Sequence, residues 1–143
     1  MPTLSNLHGL SDMRGFRSIL FLNLFAMGAI AGVASAGVAL FAPAIAACYG
    51  KSFATAVPVI RWMVLSGFLI AINSLAALVL ESLGRPWTGL AFCLLCSISL
   101  ISGAHILVPS QGAYGLALAN TIAYGLHTLW QGAYIFRIVR PAK

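Results

Sequence analysis

The stretch VPVIRWMVLSGFLIAINSLAALVLESLGRPW, Val57–Trp87, decides how the whole chain is read. From Trp62 to Leu80 it holds no charge and no proline, a run long enough to cross a hydrocarbon layer about 30 Å thick as an α-helix. Arg61 and Trp62 stand at one end; Glu81, Gly84, Arg85 and Pro86 stand at the other. Glycine followed shortly by proline is helix-stop chemistry. No period-two alternation is visible, and uninterrupted apolar runs above about 18 residues favour spanning helices over the roughly ten-residue strands of a membrane barrel.

Working outward, the same pattern recurs on both sides. A first span is expected from about Ile19 to about Ala42, with Pro43 near its exit and Tyr49, Gly50 and Lys51 as the turn. The quoted segment supplies the second span, about Val57 to Leu80. A third is expected from about Trp87 to Val108, stopping at Pro109, and Ser110, Gln111 and Gly112 make a tight connection to the fourth, about Ala113 to Phe136. Residues 1–17 mix polar and apolar side chains as an interfacial segment would, and residues 138–143 form a basic tail. Ala34-Ser35-Ala36 resembles a signal-peptidase site, but the apolar run continues through Gly37 to Ala47, which favours spanning over removal. The expected fold class is an all-α integral membrane protein with four transmembrane helices and no separate soluble domain.

Composition agrees. Of 143 residues, 61% are hydrophobic and 7% charged, with mean hydropathy +0.99, too little polar surface to coat a water-soluble globule. The formal charge of +6 would raise the question of nucleic acid in a soluble protein. Here the cations sit at segment ends without a basic stripe, so topology accounts for them and no nucleic-acid partner is implied. Arg14, Arg17, Arg85, Arg137, Arg140 and Lys143 fall on one face of the four-span arrangement, and Lys51 and Arg61 on the other. The richer face is expected to be cytoplasmic, with both termini there. Tyr49, Trp62 and Tyr114 then mark the outer interface and Trp87, Trp130 and Tyr134 the inner one.

Several residues invite a functional reading. Arg61 lies about one turn inside its span, where it either snorkels to the outer headgroups or faces a watery cavity suited to phosphate. Asn73, Ser74 and Asn120 fall in apolar spans, where amides require interhelical partners or line a substrate path. Gly28, Gly32, Gly115 and Ala119 are small residues at helical spacing, suited to close helix packing. Glu81 and Arg85 are expected to form an interfacial ion pair if the helix persists that far. His105 and His127 lie at opposite depths, so shared metal ligation is not expected. Cys93 and Cys96 have redox or metal spacing but lack a second pair or a βαβ context. Paired carboxylates, a phosphate-binding loop and a His-Glu-x-x-His motif are all missing from the sequence, so neither an enzyme nor a cofactor is expected.

Residue order adds a resemblance. FAPAIAACYGKSFATAVPVIRWM, LESLGRPW and LVPSQGAYGLALANTIAYG resemble the carboxyl-terminal part of polysaccharide-biosynthesis flippases, the lipid-linked oligosaccharide exporters of the multidrug/oligosaccharidyl-lipid/polysaccharide superfamily. The family's outer Tyr-Gly turn resembles Tyr49, Gly50 and Phe53, its inner Gly-Arg turn resembles Gly84 and Arg85, and its second outer turn resembles Pro109, Gly112, Ala113, Gly115 and Ala117. The opening Pro2-Thr3-Leu4-Ser5 with Asp12 is similar to the connection before the family's ninth helix.

The resemblance implies the last four helices of a two-lobed bundle in the cytoplasmic membrane. Its expected partners are membrane lipids, a lipid-linked sugar bearing an anionic pyrophosphate, and a separately encoded or contiguous remainder of the transporter. Arg61, Asn73 and Asn120 are then the candidate substrate-binding residues. The alternative is a small four-helix scaffold or assembly subunit without transport of its own.

Overall fold

The computed structural model describes residues 13–139. Helix α1, Met13–Cys48, is followed by a 3-10 turn, Lys51–Ala56, and helix α2, Val57–Ser82. The last helical element, Pro86–Val139, is broken at Gly112 (φ 56°, ψ −132°). We call its arms α3 (86–111) and α4 (113–139). Among the described residues no strand occurs, and the three helical elements are long and apolar enough to cross a membrane.

The break at Gly112 turns what would be one rod into a hairpin. A straight helix of 54 residues would extend about 80 Å, far beyond a hydrocarbon core of about 30 Å. Instead the arms lie side by side: a methyl built at Gly103 would stand 3.3 Å from Ala119 Cβ, and one built at Gly115 would strike the Leu107 carbonyl. At Gly115 no side chain fits against that carbonyl without a shift, and only glycine readily adopts the positive φ at 112. Ser110 Oγ donates to the Leu107 carbonyl at 3.2 Å, supplying a donor beside Pro109.

Helix α2 sits between α1 and the hairpin. Gly32 of α1 faces Phe68, while Ile19 packs against Val79, where Leu83 and Ile135 of α4 also join; α1 and α2 are therefore antiparallel. The contact Leu80–Gly89 joins α2 to α3 near their shared turn. That turn closes by a double backbone clasp, Arg85 N–H to Leu80 O and Gly84 N–H to Glu81 O, both 2.9 Å. Gly84 at φ 71° is the left-handed residue that such a helix end requires.

Helices run further than the sequence reading placed them. Helix α1 is already formed at Met13, within the expected interfacial segment, and passes Pro43 to end at Cys48 instead of Ala42. The third span does not stop at Pro109, and the fourth runs to Val139, past Phe136. A proline removes a single backbone bond, and near a helix end the ladder beyond it is short enough to survive. The turn expected at residues 49–51 extends into the 3-10 segment to Ala56. The expectations placed on Pro2, Leu4, Ser5, Asp12, Arg140 and Lys143 lie outside the described residues.

Gly115→Ala should lower the thermal midpoint of the purified protein in detergent by an amount equivalent to about 1–3 kcal/mol, because the new methyl has no room. Gly37→Ala, where nothing lies within 4 Å, should leave it unchanged. Equal melting of the two variants would refute the close hairpin.

Candidate functional site

On α4, Ala117, Thr121, Tyr124, His127, Gln131 and Tyr134 recur at intervals of three or four, so they share one helix face. That face is turned inward: Ala117, Thr121, His127 and Gln131 are all buried. Across it α2 presents Ser66 and Asn73, also buried. The interior of the α2 and α4 contact is thus unusually polar for so apolar a chain.

Four hydrogen bonds cross from α2 to α4. Near the start of both helices the Trp62 indole N–H donates to the Tyr114 hydroxyl at 3.1 Å, and the Thr121 hydroxyl lies 3.0 Å from the Trp62 carbonyl. One turn on, Asn120 Nδ2 donates to Ser66 Oγ at 2.9 Å. Deeper still, Asn73 Nδ2 reaches the Tyr124 carbonyl at 3.4 Å. Past the end of α2, Arg85 Nη1 donates to the Tyr134 hydroxyl at 2.8 Å. Partner numbers rise together along both helices, so α2 and α4 run parallel.

Beyond Asn73 the seam changes character. Asn73 Oδ1, both ring nitrogens of His127 and Gln131 Oε1 are buried and make no hydrogen bond among the described residues. The His127 ring stacks on Phe92 of α3, centroids 6.4 Å apart, and Phe92 meets Tyr134 edge-on at 5.5 Å. This arrangement offers hydrogen-bond acceptors in an apolar interior. It holds no nucleophile paired with a base, and no group of three or more His, Cys, Asp and Glu among the described residues could hold a metal ion.

The candidate residues separate. Asn73 and Asn120 are both drawn into the seam between helices. Arg61 stands outside it, exposed beside Trp62, with no hydrogen bond or ion pair among the described residues. Gly115 abuts the Leu107 carbonyl, Ala119 meets Gly103, and Gly32 meets Phe68, but Gly28 has nothing within 4 Å of its missing side chain. The expected Glu81–Arg85 pair is not formed. The helix ends at Ser82 before the second residue of the pair, and the guanidinium turns to Tyr134 instead. His105 is exposed and His127 buried, and the cysteines are free, with Cys96 buried and Cys48 and Cys93 exposed.

Ser66, Thr121, Gln131 and the Trp62–Tyr114 and Arg85–Tyr134 ties were not singled out from sequence. The signal was there as the three-and-four spacing on α4, which appears only when polar and aromatic residues are read together as one stripe. Comparison with known proteins finds no matching family model, no matching curated protein and no matching solved structure.

Asn120→Leu should destabilise the protein in detergent by about 0.6–1.7 kcal/mol, the range for interhelical polar contacts in lipid. Gln131→Leu should be neutral or stabilising, because it deletes a buried acceptor that has no partner. The two variants should therefore shift the unfolding midpoint differently, and a larger loss from Gln131→Leu would contradict this account of the seam.

Proposed function

We propose that this chain is the carboxyl-terminal part of a membrane flippase that moves lipid-linked oligosaccharide or polysaccharide precursors across the cytoplasmic membrane. In this reading α1, α2, α3 and α4 each cross the bilayer, and both termini are cytoplasmic. One observation carries most of the weight. Gly50, Gly84 and Gly112, the positive-φ glycines of the described residues, fall one in each of the three turn motifs that resemble the family, and each marks an interruption between helices.

The two aromatic ties support the four crossings. Trp62–Tyr114 and Arg85–Tyr134 are separated by about 20 residues of α2, or about 30 Å, the thickness of a hydrocarbon core. Tryptophan, tyrosine and arginine at both ends suit the two headgroup layers. Parallel α2 and α4 are what a chain crossing at every arm requires. Arg61, exposed at the outer tie, is available as a fork of donors for a pyrophosphate, while Asn73 and Asn120 serve first as helix ties.

A scaffold or assembly-subunit role is the competing reading, favoured by the α1 surface around Gly28, Ala29, Ile30, Val33 and Ala34, where a shallow recess is lined by small and aliphatic side chains. In the intact transporter, Arg61→Ala should lower export of the lipid-linked sugar about tenfold at unchanged protein level, the cost of one charge-assisted contact. Undiminished export removes Arg61 from the substrate path. Reporter fusions at residues 50, 84, 112 and the carboxyl terminus should alternate outside and inside; two adjacent sites on one side would exclude four crossings.

A further inference from the structure

At the end of α2 opposite Arg61, a second arginine is held differently. Arg85 is exposed, and its Nη1 donates to Tyr134 Oη at 2.8 Å. The Tyr134 ring is braced edge-on by Phe92. A cation is thus positioned by a neutral hydroxyl. Glu81, four residues earlier, is exposed and forms no ion pair with it, so the guanidinium charge is left uncompensated within the described chain.

Its neighbours are residue types that suit a headgroup layer. Arg137 is exposed one turn beyond Tyr134 on the same side of α4, and Trp130 lies one turn before it. Trp87, two residues from Arg85, is 80% exposed, and Trp130 46%. Indoles prefer the interface between hydrocarbon and water, and guanidinium forks match phosphate oxygens better than a point charge does. One guanidinium fixed by its tyrosine and a second one turn away make a concentrated positive site at the membrane surface, where anionic lipids are attracted to basic groups.

We propose that Arg85 and Arg137, with Arg85 oriented by Tyr134, form a binding site for the phosphate of an anionic phospholipid headgroup. Arg85 and Arg137 contact the phosphate; Tyr134 is a positioning residue. The site rests on the membrane-spanning reading above but not on transport of any sugar. The remaining N–H groups of Arg85 face the phosphate, while Trp87 and Trp130 set its depth.

The test uses the full chain, purified in detergent and stripped of lipid, with phosphatidylglycerol retention read by native mass spectrometry. Phosphatidylglycerol should be retained more strongly than phosphatidylcholine, and the double variant R85A/R137A should weaken its retention about tenfold, as expected for losing charge-assisted contacts. Tyr134→Phe, which keeps the ring and removes the hydroxyl, should weaken it about two- to threefold through lost orientation alone. Lys51→Ala, a charge removed at the 3-10 turn, should leave it unchanged. Equal retention by wild type and R85A/R137A, or an equal loss in Lys51→Ala, would overturn the site. Displacement of phosphatidylglycerol by an equal concentration of inorganic pyrophosphate would reassign it to a soluble phosphate and overturn the lipid. Vesicle flotation of the wild type runs alongside: failure to float overturns the membrane-spanning reading itself, whereas flotation without headgroup preference overturns only this proposal.

Discussion

The constraint on which everything else depends is that polar groups in apolar surroundings must find partners inside the protein. For the backbone, that requirement selects helices, which bond every interior N–H and C=O within one segment. It also explains where the helices end. The interruptions at Gly50, Gly84 and Gly112 combine a left-handed residue with local donors that keep nearby carbonyls occupied, such as Gly84 N–H on Glu81 and Ser110 Oγ on Leu107.

The same constraint organises the side chains. Buried positions are dominated by alanine, with few large aliphatics such as Leu75, Val79 and Leu80, so apolar volume alone gives the helices little preference for one another over lipid. Close backbone approach does part of the work, at Gly103 with Ala119 and Gly115 with Leu107. The polar seam does the rest, from the Trp62–Tyr114 bond through Ser66–Asn120 to Asn73–Tyr124. Its bonding stops at His127 and Gln131, whose buried side-chain atoms find no partner among the described residues, and Phe92 of α3 stacks on the His127 ring.

Charge is used at the edges and not in the interior. Arg61 lies near the start of α2 and Arg85 just past its end, each next to a hydroxyl-bearing or indole ring, and neither is matched by a carboxylate among the described residues. With two acidic residues against eight lysines and arginines, most cations have no carboxylate to pair with, and in both proposals above they meet phosphates. That is the physical content common to the transport reading and to the lipid site.

The helical class, the long apolar helices and the turn glycines were legible in the sequence because they follow from local chemistry: apolar run length and the tolerance of glycine for positive φ. The helix expected to stop at Pro109 runs past it, because whether a proline ends a helix depends on what neighbouring groups supply, which no window of sequence contains. The Glu81–Arg85 pairing failed for a related reason, since four-residue spacing makes a pair only while the helix lasts, and here a distant tyrosine offered Arg85 another partner. That Asn73, Asn120, Thr121 and Gln131 meet in one seam between α2 and α4 was decided by tertiary structure alone. Hydrogen bonds between residues some fifty positions apart, such as Trp62 with Tyr114 at a separation of 52, depend on how helices dock, and docking is a property of paired surfaces that no single helix encodes.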